Sequence, residues 1–369
     1  MTRFRLELNR FATHRLEPDW LSPRAGVEAF HQSLPGYAPT PLVELPALAR
    51  RLGVGRLWVK DESERFGLDA FKVLGASYAL HRFLAQAEAG RTFTFATATD
   101  GNHGRAVAWA ARRLGHHAVI FVPGNTVPAR IEAIGREGAR VVVVDGTYDD
   151  TVRRAAKDAE ANGWQVISDT AYPGYLEIPR WIMEGYTTLF TELGRQLAHE
   201  APQGPDVVLL QAGVGGLACA GAIFCARQGW RPKLIAVEPT DADCLLESAA
   251  TPDGRLAEAK GKQGSIMAGL NCGTPSLLAW PVIRASFDAF LAVDDGYAEE
   301  AMRALHANER RVVSGESGAA GLAGLLAFAN EPGLHDARAR LGLTKEASVL
   351  LVSTEGATDP ASYRRIVGG

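Results

Sequence analysis

Short apolar runs alternate with amphipathic stretches along the chain. Leu57-Trp58-Val59-Lys60 predicts a strand, and residues 72–86 predict a helix. Ala118-Val119-Ile120-Phe121-Val122 predicts a buried strand, stopped by Pro123-Gly124. Thr126 to Glu137 predicts a helix and Arg140 to Val144 the next strand. Further strands are expected at Val207 to Gln211, Leu234 to Val237 and Val349 to Val352, each bounded by Gly, Pro or polar residues. Strands alternating with helices imply a parallel sheet covered on both faces. Two loop-rich stretches, 172–180 and 251–276, are candidates to close over a site.

A length of 369 residues suits two adjoining lobes better than one core. With 39 basic and 42 acidic side chains the net charge is -3, which argues against a nucleic-acid surface. No apolar run is long enough to span a membrane and the N-terminus has no signal-like apolar core, so a cytoplasmic protein is expected. The chain ends soon after its last predicted strand, and no appended regulatory domain is expected. Cys219, Cys225, Cys244 and Cys272 lack metal-ligand spacing, so no metal site is expected. They read as small buried residues, with a Cys244–Cys272 bridge left open.

Basic residues are mostly arginine, and only seven lysines offer a reactive amine. Lys72 lies between Phe71 and Val73 where the helix should begin. Apolar neighbours and the positive end of a helix would lower its pKa and make it a nucleophile. The segment Thr97 to Gly104 follows the apolar run Phe93 to Ala96 and precedes a predicted helix, Arg105 to Arg113. Gly101 and Gly104 allow close backbone approach, the free N–H groups suit a carboxylate, and Asn102 can donate to an oxygen on a planar ring. A second glycine loop, Gly213-Val214-Gly215-Gly216-Leu217, has three glycines in four residues and forms a nest for one phosphate. It lacks the Lys-Ser/Thr of a Walker loop. As a dinucleotide fingerprint it is incomplete, because the last glycine position holds Ala218. Ala236-Val237-Glu238 ends one strand with a carboxylate, and Ser353-Thr354 ends the last with hydroxyls, at the sheet edge where α/β ligands bind. Together these pieces describe a site for a planar, phosphorylated aldehyde.

The order of Phe71-Lys72, Asp100-Gly101-Asn102-His103, the 213–217 loop and the Ser353 strand end resembles the fold-type II pyridoxal-phosphate (PLP) enzymes. Within them the chain is most similar to the diaminopropionate ammonia-lyases. That likeness rests on Lys60 to Tyr78, Thr99 to Arg105, Ser168 to Tyr172, Ile178 to Tyr186, Met267 to Gly273 and Ser314 to Gly318. The resemblance implies an α/β fold of two lobes, each with a mostly parallel sheet flanked by helices. It divides the chain into a discontinuous large PLP-binding domain, 1–75 and 191–369, and a small domain, 76–190. It also implies a homodimer and conversion of 2,3-diaminopropionate to pyruvate and two ammonia molecules.

By resemblance, Lys72, Asp100 and Asp169 are the catalytic residues. Lys72 holds PLP. Asn102, Gly213, Val214, Gly215, Gly216 and Leu217 bind it, and Ser353, ahead of Thr354, meets the pyridine nitrogen. Thr99, Asp100, Gly101, Asn102, His103 and Asp169 surround the substrate. Dehydratases of the group usually carry a small residue where Asp100 stands, so Asp100 separates this chain from them. The two aspartates would take the α-proton from opposite faces, Asp100 for the D form and Asp169 for the L form. A carboxylate also suits a substrate with an extra cationic amine. The nearest alternative is a serine or threonine dehydratase. A nucleotide-dependent oxidoreductase, with Glu238 on a ribose, and a non-catalytic PLP-binding module are the others.

Overall fold

The computed structural model describes residues 3–16, 26–99, 101–146 and 148–368, apart from the side chain of Asp149. Eleven strands form among them: β1 (Phe4–Leu8), β2 (Leu42–Glu44), β3 (Arg56–Asp61), β4 (Thr94–Ala98), β5 (His117–Pro123), β6 (Arg140–Val144), β7 (Gln165–Val166), β8 (Val207–Gln211), β9 (Lys233–Pro239), β10 (Ala289–Val293) and β11 (Ser348–Ser353). They build a seven-stranded sheet, β1-β10-β9-β8-β11-β3-β2, and a four-stranded sheet, β6-β5-β4-β7. In the larger sheet the edge strands run antiparallel, β1 to β10 and β2 to β3, and the other pairs are parallel. The smaller sheet is parallel throughout. This is the mixed α/β, two-sheet architecture expected.

The apolar runs read as strands because both faces of the larger sheet are covered. In β8, Val208 and Leu210 join one core cluster while Val207 and Leu209 join the other. β11 divides the same way, Leu350 and Val352 against Val349 and Leu351. A parallel strand buried on both sides needs an unbroken apolar run, and that is the pattern present. β1 and β2 escape this signal. β2 is three residues long, and β1 alternates Arg5 and Glu7 with apolar neighbours at the sheet edge, where Arg5 pairs with Asp243 and Glu247.

Most expected elements shift by no more than two residues at an end, and two differ more. The stretch 172–180 is helical from Glu177, because Pro179 sits in the first turn of the helix Glu177–Leu197, where its missing N–H costs nothing. The helix expected from Arg105 begins at Asn102.

The helix Lys72–Leu84 crosses Glu177–Leu197 at Gly75 and Gly185. A Cβ on Gly75 would lie 2.5 Å from the Tyr186 ring, and one on Gly185 would strike the Leu74 carbonyl. Close packing therefore fixes the turn that starts with Lys72. The same carbonyl accepts a hydrogen bond from His31 Nε2 at 2.9 Å, and Nδ1 of that fully buried ring lies 2.7 Å from the Thr188 hydroxyl. Burial pushes the His31 pKa down to about 3, so the folded protein refuses a proton that the unfolded chain accepts below about pH 6.5. His31 thus costs no stability above pH 6.5 and lowers it progressively as pH falls from there toward 3. By pH 5 the expected loss is on the order of 2 kcal/mol. Urea unfolding at pH 7.5 and 5 should show a smaller pH dependence for His31→Gln than for the wild type; equal slopes would refute the assignment.

Candidate active site

A cleft of about 1030 Å³, counting its open mouth, lies at the C-terminal ends of β4, β8 and β11. Its wall includes Lys72, Thr99, Gly101, Asn102, His103, Asp169, the nest Gly213, Val214, Gly215, Gly216 and Leu217, and Thr354. Residues drawn from five separate parts of the sequence therefore converge. Asp100, the other expected base, lies outside the described residues.

Lys72 ends a loop that leaves β3 and is pinned along its length. Glu62 N donates to Ser353 O (2.8 Å), Phe71 N to Thr354 O (3.1 Å), and Gly356 N to Asp69 O (2.8 Å). Beneath it lies a buried ionic cluster. Arg65 donates to Glu62 and Glu192, and Lys60 Nζ to Glu192 at 2.9 Å, with all four side chains 0–1% exposed. Each charge has an opposite partner, which is what makes their burial tolerable.

Lys72 Nζ donates to Asp169 Oδ2 at 2.5 Å, and the two side chains are 19% and 21% exposed. Burial disfavours both charges. The aspartate nevertheless holds the ammonium above the ordinary lysine range, and the ammonium holds the carboxyl below the ordinary aspartate range. This corrects the sequence-based expectation of a lowered amine pKa: that reading had the helix terminus in view, but no carboxylate in contact. Asp169 follows β7 in a turn clamped by Tyr175, whose hydroxyl accepts from Ser168 N (2.9 Å) and donates to Val166 O (3.0 Å).

Thr99 Oγ1 accepts from Gly101 N (3.0 Å) and Gly104 N (3.2 Å), which shapes the loop before the helix Asn102–Arg113. His103 Nε2 lies 2.8 Å from Ile167 O, and a carbonyl only accepts, so Nε2 carries the proton. Nδ1 is then an acceptor, buried without a partner among the described residues, and burial lowers the pKa of the ring.

The nest opens the helix Gly216–Arg227. Gly215 has φ 95°, and a Cβ there would stand 2.5 Å from Ile283 Cδ1. Only glycine keeps these N–H groups turned into the cleft, at a helix end that favours an anion. Of the strand-end hydroxyls, Thr354 is on the wall. Its Oγ1 accepts from Gln211 Nε2 (3.0 Å), which leaves its own hydrogen for a ligand. Ser353 lies behind it, 2.8 Å from Ser314 Oγ.

Glu238 is absent from the cleft wall. It is fully buried, and its oxygens accept from Leu245 N (2.7 Å) and Leu246 N (2.9 Å). A carboxylate so occupied cannot hold a ribose, which removes the support for a nucleotide oxidoreductase. None of the four cysteines is in a disulfide bond.

Arg130, Tyr148, Tyr186 and Glu355 also line the wall, and none of them is among the site residues expected from the sequence. Glu355 carried a usable signal, a carboxylate two residues past an expected strand end. Arg130 and Tyr148 carried none, since each lies in a segment with no motif.

Residues 33–354 match the family model described as pyridoxal-phosphate dependent enzyme. The diaminopropionate ammonia-lyase of Escherichia coli (strain K12) is 42% identical over 97% of this chain and 95% of its own length. The crystal structure of the selenomethionine-incorporated holo diaminopropionate ammonia lyase from Escherichia coli superimposes with a TM-score of 0.91, 40% identity, and coverage of 99% of this chain and 96% of that one. The same enzyme in complex with an aminoacrylate-PLP azomethine reaction intermediate superimposes with a TM-score of 0.89 at 40% identity, covering 99% and 96% of the two chains.

Proposed function

We infer that this chain, which belongs to the pyridoxal-phosphate dependent enzymes and among them to the diaminopropionate ammonia-lyases, converts 2,3-diaminopropionate to pyruvate and two ammonia molecules by α,β-elimination. The observation that carries the reading is the contact of Lys72 Nζ with the Asp169 carboxylate. With PLP held by Lys72, a substrate amine would take the place of the lysine amine, which would bring the substrate Cα within reach of the same carboxylate.

The lining of the cleft suits PLP: it brings together an amine, a backbone nest for the phosphate, and hydroxyl and amide donors for the ring. Lys72 would hold its aldehyde, residues 213–217 its phosphate, Thr354 (or Ser353) its pyridine nitrogen, and Asn102 its ring oxygen. When bound, PLP supplies an electron-withdrawing ring that takes up the electron pair left at Cα.

The protein's own residues do the rest. To join the aldehyde, Lys72 must first lose the proton that its contact with Asp169 holds on it. Backbone N–H groups of the 99–103 loop take the substrate carboxylate. Asp169 removes the Cα proton of the L form and Asp100 that of the D form, each from its own face. The Cβ–N bond breaks with its electron pair on nitrogen, and the protonated carboxyl can return a proton to the departing amine. Aminoacrylate then hydrolyses to pyruvate and the second ammonia. A hydroxyl leaving group would have no cation for a carboxylate to attract, which favours a diamine over serine or threonine.

Steady-state assays on D- and L-diaminopropionate, serine and threonine test this. The kcat/KM for diaminopropionate should exceed that for serine by about tenfold or more, the scale set by one missing polar contact. A preference for serine or threonine would make the enzyme a dehydratase.

The proposal includes a homodimer, a cytoplasmic setting, and a large domain of 1–75 and 191–369 with a small domain of 76–190. The smaller sheet, β4 to β7, falls inside the last range and supports that division. Among the described residues, no helix is long and apolar enough to cross a membrane.

A further inference from the structure

We propose that Glu355 is a positioning residue: it orients the Asn102 amide toward the cofactor's ring oxygen and ties the Asn102 helix to the lysine-bearing loop. This rests on the PLP reading above.

The Glu355 side chain lies on the cleft wall although the residue is only 2% exposed, and both carboxylate oxygens are engaged. Oε2 accepts from Asn102 Nδ2, and Oε1 accepts from Ser317 N at 3.0 Å. Its backbone is held as firmly. Glu355 bridges to Ala70, two residues before Lys72, and its carbonyl accepts from Gly315 N at 3.0 Å. The surroundings are shaped to it, since a Cβ on Gly315 would stand 3.1 Å from Oε1 and one on Gly318 would stand 2.5 Å from its carbonyl. One residue therefore joins three segments: the loop that delivers Lys72, the 315–318 turn, and the first turn of the Asn102 helix. A second tie nearby links the same helix to the same loop, from Arg105 to Asp69 Oδ2 (2.9 Å) and Leu68 O (3.0 Å).

The chemistry explains why an acid belongs there. A carboxylate only accepts, so the Asn102 amide must turn its nitrogen, not its oxygen, toward Glu355. The second N–H on that nitrogen remains for an oxygen of the ring. Without the acid the amide is free to flip, and a flipped amide presents a carbonyl to the ring oxygen, where two acceptors repel. Glu355 itself has no need to touch the cofactor, because its influence passes through Asn102.

A double-mutant cycle on PLP affinity, read by absorbance titration of the purified protein, tests this. Asn102→Ala and Glu355→Ala should each weaken PLP binding about tenfold, the scale of one hydrogen bond to a charged group. The double variant should bind within about twofold of Asn102→Ala alone, because the second change has nothing left to act through. Both single variants should also shift the pH dependence of the cofactor's visible band in the same direction. Additive losses, about a hundredfold in the double variant, would overturn the proposal, as would a Glu355→Ala protein with wild-type affinity and band. Should circular dichroism show that Glu355→Ala is unfolded, Glu355→Met, of similar length and without an oxygen acceptor, carries the same cycle under the same criterion. A wild-type protein that binds no PLP would sink the parent reading instead.

Discussion

Lys72→Ala is expected to abolish covalent cofactor attachment and to lower ammonia release from diaminopropionate by on the order of 10³-fold or more, because it removes the group through which every turnover begins and ends. Of the seven lysines, Lys72 alone lines the cleft. Lys60, nearest to it in sequence, is wholly buried and spends its ammonium on Glu192, Thr40 O and Gln196. Borohydride reduction of the loaded protein followed by peptide mapping should therefore mark the peptide containing residue 72. A label on any other lysine would defeat the assignment. Alanine also leaves Asp169 without its partner, so Lys72→Arg is the sharper companion. Arginine keeps a cation beside Asp169 but does not form the bond, and it should leave a folded, inactive protein.

Asp169→Asn is expected to lower kcat for the L substrate by about 10²–10⁴-fold, the range for loss of a general base, with a much smaller effect on the D form. The corresponding Asp100→Asn change should reverse the preference. Equal losses on both enantiomers would rule out separate bases. The Lys72–Asp169 contact adds a signature independent of turnover. Asp169 raises the lysine pKa, so the cofactor-free wild type carries Lys72 as an ammonium well above neutral pH. Only the neutral amine attacks the aldehyde, so attachment should be faster as pH rises. Asp169→Asn removes the carboxylate that holds the proton, and its attachment profile should move to lower pH. An unchanged or upward-shifted profile, followed at the visible cofactor band, would mean that the two groups are not paired in solution.

Local chemistry made part of this legible. β6 and β8 occupy the residues that the apolar pattern predicts, because a strand buried on both faces has no freedom to place polar residues. The nest at 213–217 was legible because successive glycines have few other uses. Lys72 stood out by its place between a predicted strand and a predicted helix. The helix start at Glu177 was hidden by a proline that normally ends helices but is accepted in a first turn.

Sequence alone determined the alternation of strand and helix, the family, the lysine, the nest and the candidate aspartates. All but the family depend on backbone sterics, burial or chemistry within a dozen residues; the family shows in the order of these pieces from residue 71 to 353. Tertiary structure decided which charges meet. Lys72 and Asp169 are 97 positions apart, and Asn102 and Glu355 are 253 apart. No local pattern carries such distances; only the packing of the two sheets and their helices brings those side chains together. That is why Lys72 could be singled out in advance as the candidate amine, while its raised pKa and its contact with Asp169, and that of Asn102 with Glu355, could not.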